Sequence, residues 1–115
     1  MSKPARTLMM WISAAMAGLL LTTSNVSGQA ASPGKTYVVT MTNMSFGGLP
    51  AQAKVGDTII WNNTDTVQHS ATARDGSFDY RLQPGQKART VLKKKGTLRV
   101  DCIYHPTMRG SMKIL

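Results

Sequence analysis

One cysteine, two histidines, five acidic side chains and an aromatic content of 6% leave this 115-residue chain few groups with which to do chemistry. A lone cysteine cannot close an internal disulfide, the usual staple of a small exported domain. Aromatics are sparse and only Lys93-Lys94-Lys95 forms a basic run, which argues against a nucleic-acid partner. That run reads instead as a solvated hairpin turn closed by Gly96. No stretch carries a helical period, and no repeat or low-complexity tract interrupts the chain after residue 30. The apolar run from Leu8 to Leu21 is about 14 residues, short of the roughly 20 that a bilayer span requires.

That run instead has the grammar of an export signal. Lys3 and Arg6 precede it, a polar stretch follows it, and Gly28-Gln29-Ala30 offers small residues for cleavage after Ala30. Residues 1–30 are therefore expected to be a cleaved secretory signal and residues 31–115 a single domain, soluble, periplasmic and monomeric. Removing Lys3 and Arg6 leaves 12 basic residues against five acidic ones, a net charge near +7 that suits an acidic docking surface on a partner. A core of about 85 residues is marginal without a staple, and a bound metal would supply one through linkage.

Short segments of strand character fill the domain. Tyr37, Val39 and Met41 alternate with Val38, Thr40 and Thr42, and Gly47-Gly48-Leu49-Pro50 is expected to break that strand. Thr58-Ile59-Ile60-Trp61 follows Val55-Gly56-Asp57, and Asn62-Asn63-Thr64-Asp65 ends it in turn formers. Further strands are expected to carry His69, Ala71 and Ala73; Ala88, Thr90 and Leu92; Leu98, Val100 and Cys102; and Met112 with Ile114. About six strands at this spacing predict an all-β fold, an antiparallel β-sandwich with Greek-key connections.

The chemistry collects in one place. Cys102-Ile103-Tyr104-His105-Pro106-Thr107-Met108 spaces a thiol, an imidazole and a thioether three residues apart, and His69 lies on a separate strand. One thiolate, two imidazoles and a weak axial thioether form a donor set that holds both oxidation states of copper with little rearrangement. Each residue alone has an ordinary reading: Met108 as a core thioether, Cys102 as an inert buried thiol, a histidine as a satisfied core group. Together they use up the only cysteine and both histidines. Pro106 keeps His105 out of the helical region and stiffens the backbone after it.

These residues resemble the ligand loop of the cupredoxins, and within them the amicyanins, whose pattern is Cys-x-x-His-x-x-Met. Val55-Gly56-Asp57-Thr58-Ile59-Ile60-Trp61-Asn62 is similar to the family's strand leading to the first histidine, so the likeness runs from about Lys35 to Leu115. The resemblance implies a type 1 copper site with His69, Cys102 and His105 equatorial and Met108 axial. It implies an electron carrier rather than an enzyme, with a dehydrogenase as donor and a cytochrome or oxidase as acceptor. Docking is expected at an apolar patch around His105, drawn from Met44, Pro50, Pro106, Thr107 and Met108, with Arg74 and Arg109 at its rim.

Two positions depart from the family pattern. Ser70 stands where many cupredoxins have asparagine, and its shorter reach is expected to weaken support for the ligand loop. Tyr104 replaces a proline, and its restored N–H is expected to point at the Cys102 sulfur and raise the reduction potential. The rival readings are a copper chaperone or storage protein, which favours Met- or Cys-rich sites, and a redox enzyme, which needs an open coordination position and a nearby acid–base group.

Overall fold

The computed structural model describes residues 34–115 together with Gly18; the expected export signal lies outside the described residues. Nine strands form: β1 (Thr36–Thr42), β2 (Ser45–Gly47), β3 (Gln52–Ala53), β4 (Thr58–Asn63), β5 (His69–Ala73), β6 (Asp79–Leu82), β7 (Lys87–Val91), β8 (Gly96–Asp101) and β9 (Arg109–Ile114). They make two sheets, ordered β2-β1-β4-β7 and β3-β9-β8-β5-β6. The alternation that the sequence shows becomes burial: Val39, Met41, Ile59 and Trp61 face inward from the first sheet, and Ala71, Val100 and Met112 from the second. No helix among the described residues is long and apolar enough to cross a membrane.

The sandwich is mixed, which corrects the expectation of a purely antiparallel one. β1 runs parallel to β4, from Thr36 beside Thr58 to Met41 beside Asn63, and β3 runs parallel to β9. Period-two alternation fixes which side chains face the core, but not the direction of the neighbouring strand. A second correction concerns the lysine run. Lys93-Lys94-Lys95 links β7 of one sheet to β8 of the other, so it is an inter-sheet crossing and not a hairpin. Turn-forming residues signal a reversal without saying which sheet receives the returning strand.

The first hairpin also turns earlier than expected. β1 and β2 are joined by Asn43-Met44, with Thr42 opposite Ser45, and both turn residues have positive φ, 50° and 56°. That is the type I′ geometry matched to strand twist; for Met44, which has a Cβ, the left-handed conformation costs about 1–2 kcal/mol. Gly47 and Phe46 are then free to continue as strand.

Trp61 is the keystone of the core. It has no exposed surface, lies edge-on to Phe46 at 5.8 Å between centroids, and lies 5.7 Å from Phe78. Its indole N–H donates to Thr90 Oγ1 at 3.0 Å, so the one polar atom of the ring is satisfied inside the core. At the far end of the sandwich the buried Asp57 carboxylate accepts the Lys35 N–H at 2.9 Å and the Lys54 N–H at 2.8 Å, fastening the start of β1 to the β3–β4 connection. Gly110 in β9 packs closely under Leu49: a Cβ there would come within 2.5 Å of Leu49 Cδ2, so that side chain would have to shift.

Candidate metal centre

β4, β5 and the β8–β9 connection meet at one end of the sandwich, and the centre is built from what each delivers. Asn63, the last residue of β4 and fully buried, donates its side-chain amide to the carbonyls of Val67 and Leu82, both at 2.9 Å. Its own Oδ1 accepts the Asp65 N–H at 3.0 Å. One side chain therefore shapes the loop that leads into β5, and it sets Asp65 four residues before His69. Asp65 Oδ2 lies 2.9 Å from His69 Nε2. With the Nε2 proton held by that carboxylate, the Nδ1 lone pair of His69 is left to face the centre.

The β8–β9 loop is closed by its own backbone. Cys102 N–H donates to the Met108 carbonyl at 3.0 Å, and Met108 N–H donates to the His105 carbonyl at 2.9 Å. The second bond closes a β-turn with Pro106 at the position where its fixed φ is preferred. Of the residues in this loop, Cys102 and Met108 are buried and His105 reaches the surface.

Three of the four expected donors, His69, Cys102 and His105, converge. His69 Nδ1 and His105 Nδ1 are 3.2 Å apart, and Cys102 Sγ lies 3.5 Å from His105 Nδ1 and 3.9 Å from His69 Nδ1. Ligands bound at about 2 Å to a common centre stand roughly 3.5 Å from one another, so these separations suit a single small ion. Among the described residues this is the cluster of three or more histidine, cysteine or carboxylate side chains close enough to share a metal. Met108, fully buried, closes the same loop.

Electrostatics favour an anionic sulfur. Burial pushes the Cys102 thiol up, but the Ser70 N–H, His105, His69 and the Tyr104 N–H together bring it down to about 6. For His69, burial opposes protonation, while the Asp65 carboxylate and Cys102 favour it and prevail, raising its pKa. Asp65 is lowered correspondingly, chiefly by its bond to His69. A carboxylate behind a metal-facing imidazole fixes its tautomer and raises its basicity. Asp65 was read in the sequence only as a turn former; its position four residues before His69 was the available signal.

Ser70 reaches further than its size suggested. Its backbone N–H donates to Cys102 Sγ at 3.3 Å, and its Oγ accepts the Ile103 N–H at 2.8 Å, so both the sulfur and the ligand loop rest on it. A Ser70→Ala variant is expected to lose about 1–3 kcal/mol in denaturant unfolding, because the Ile103 N–H loses its acceptor.

The surface around His105 differs in part from the expected patch. Met108 is buried and contributes nothing to it, whereas Ile103, Tyr104 and Val67 are exposed at this end along with Met44, Pro106 and Thr107. The basic rim is offset at Arg74 and keeps its charge at Arg109. Arg74 Nε lies 2.7 Å from Asp101 Oδ2, and Arg109 Nε donates to the Pro106 carbonyl at 2.7 Å.

Comparison with solved structures returns the same architecture. A reduced amicyanin variant superposes with a TM-score of 0.60 at 24% identity, over 76% of this chain and 88% of that one. An oxidised amicyanin variant gives 0.60 at 22% identity over 76% and 87%. A purple cupredoxin from Nitrosopumilus maritimus gives 0.56 at 22% identity over 70% and 99%. This chain has the cupredoxin fold. No protein-family model and no curated protein sequence matches it. Within the cupredoxin fold, His69, Cys102 and His105 form a thiolate–imidazole cluster at one end of the sandwich, with the imidazole of His105 its nearest approach to solvent.

Proposed function

We propose that this chain is an exported one-electron carrier that holds a single copper ion through His69, Cys102, His105 and Met108. The observation that carries the reading is the convergence of two imidazole nitrogens and a thiol of depressed pKa within 3.9 Å of one another. Two ring nitrogens and a soft sulfur anion aimed at one point make a donor set that copper takes readily. Copper supplies the redox couple, accepting and releasing one electron.

The protein's own part is to keep the donors still. Asn63 and Asp65 hold His69, Ser70 holds the sulfur and the Ile103 amide, and the Cys102–Met108 backbone bond closes the loop. A framework set before the electron arrives has little to reorganise when it does. His105, half-buried among Ile103, Tyr104 and Pro106, gives the electron a short path to a partner pressed on that apolar end. A dehydrogenase-like donor and a cytochrome- or oxidase-like acceptor would use this face in turn, in the periplasm, and the protein itself would make and break no covalent bond. With Arg74 paired to Asp101, contact there rests on apolar complementarity together with the charge of Arg109.

Absorption and voltammetry of the protein loaded with one equivalent of copper test the proposal. An intense visible band and a reversible one-electron couple are expected. A protein that takes zinc but stays colourless and redox-silent with copper would overturn it.

A further inference from the structure

The lysines are unevenly distributed: among the described residues, all but one lie away from the metal centre. The strand registers define a second pole where β1, β4 and β8 begin and β9 ends: Thr36 pairs with Thr58, Thr58 with Val91, and Gly96 with Ile114. The exposed side chains Lys35, Lys54, Lys93, Lys94, Lys95 and Lys113 lie at this pole or within a residue or two of it. Of the lysines among the described residues, Lys87 alone stands at the other end, paired with Asn62. Among the described residues the lysine pole has two acidic side chains, Asp57 and Asp75. Asp57 already accepts two backbone N–H groups, and Asp75 Oδ1 accepts the Ser77 N–H at 2.9 Å. Nearer the metal centre, by contrast, Arg74 is matched with Asp101 and Arg81 with Asp79.

Apolar side chains are exposed among these lysines. Val55, Val91 and Leu115 are 43%, 44% and 43% exposed. The Val55 N–H donates to the Leu115 carbonyl at 3.0 Å and the Gly56 N–H to the Leu92 carbonyl at 2.8 Å, which binds the segments into one surface. The chain also enters the domain here, at Gly34 and Lys35.

We propose that this pole docks the protein on an anionic phospholipid bilayer, leaving the His105 end turned away from the membrane. Lysines with long apolar stems around exposed aliphatic side chains match the headgroup boundary, where stems and valines enter the interface and ammonium groups meet phosphate. An acidic protein fits less well. Protein interfaces are enriched in tyrosine, tryptophan and arginine and depleted in lysine, and the exposed residues of this pole follow the opposite pattern. Neutral headgroups offer nothing to the ammonium groups, so the attraction depends on lipid charge and weakens with salt.

Flotation of the protein recovered after export, with vesicles of phosphatidylcholine containing a quarter phosphatidylglycerol, tests this. Partition is expected to exceed that into pure phosphatidylcholine and to collapse at high salt. Each lysine near an anionic surface contributes roughly fivefold, so changing Lys93, Lys94 and Lys95 together to glutamine is expected to weaken partition about 100-fold. Lys35→Gln with Lys113→Gln, one just before β1 and the other on β9, is expected to weaken it about 25-fold, and Lys87→Gln by no more than a single distant charge, under about twofold. Equal partition into both vesicle types would overturn the proposal. So would lysine variants that float like the parent, or capture on polyglutamate beads without flotation.

Discussion

In a Cys102→Ser variant, the intense visible band of the copper-loaded protein is expected to disappear completely, along with its reversible couple. The thiol sits at about 6, below neutrality, so sulfur is present largely as the anion that soft metal bonding requires. A serine hydroxyl in the same place remains protonated and is a hard, weak donor. The Ser70 N–H, now 3.3 Å from Sγ, would face an oxygen with a shorter reach. His69 and His105 remain, so weak binding of Cu(II) by two imidazoles persists without the colour. Titration with copper followed by absorption separates the outcomes: a colourless complex supports the assignment, and a surviving strong band means the sulfur is not the ligand.

Trp61→Ala is expected to be the most damaging change away from the metal, costing about 3–5 kcal/mol in denaturant unfolding. The indole contacts Phe46 and Phe78 and spends its only donor on Thr90 Oγ1. Removing it leaves a cavity between the sheets and a partly buried hydroxyl with one bond fewer. Small domains have total stabilities at the low end of about 5–15 kcal/mol, so such a loss consumes much of what holds the fold. Trp61 also lies two residues before Asn63, whose amide bonds shape the loop into His69. Copper affinity should therefore fall with stability. A loss under about 1 kcal/mol would mean that the sheets close over the gap, contrary to the packing described here.

The donor set was legible in the sequence because it is scarce. With one cysteine and two histidines, the chain offers a single way to assemble a thiolate–imidazole cluster, and the strand reading put Cys102 on an inward face. The inward faces of β1, β8 and β9 were equally plain, since alternation is a local property. Pairing is not local. The parallel contact of β1 with β4 and the crossing at Lys93–Lys95 depend on which sheet receives each strand, and turn residues carry no such information. Asn63, Asp65 and Ser70 were hidden for a related reason: short polar side chains near turns look alike until a fold gives each its partner.

The parallel register of β1 and β4 has one more consequence, for what can be attached to this molecule. Because β1 starts beside the start of β4 while β9 finishes beside the start of β8, Lys35 and Leu115 emerge on the same side, opposite His105. A linker, a neighbouring domain or an electrode tether joined through either extremity would hang behind the sandwich. The half-buried His105 imidazole would still face away from the attachment, open to whatever partner arrives.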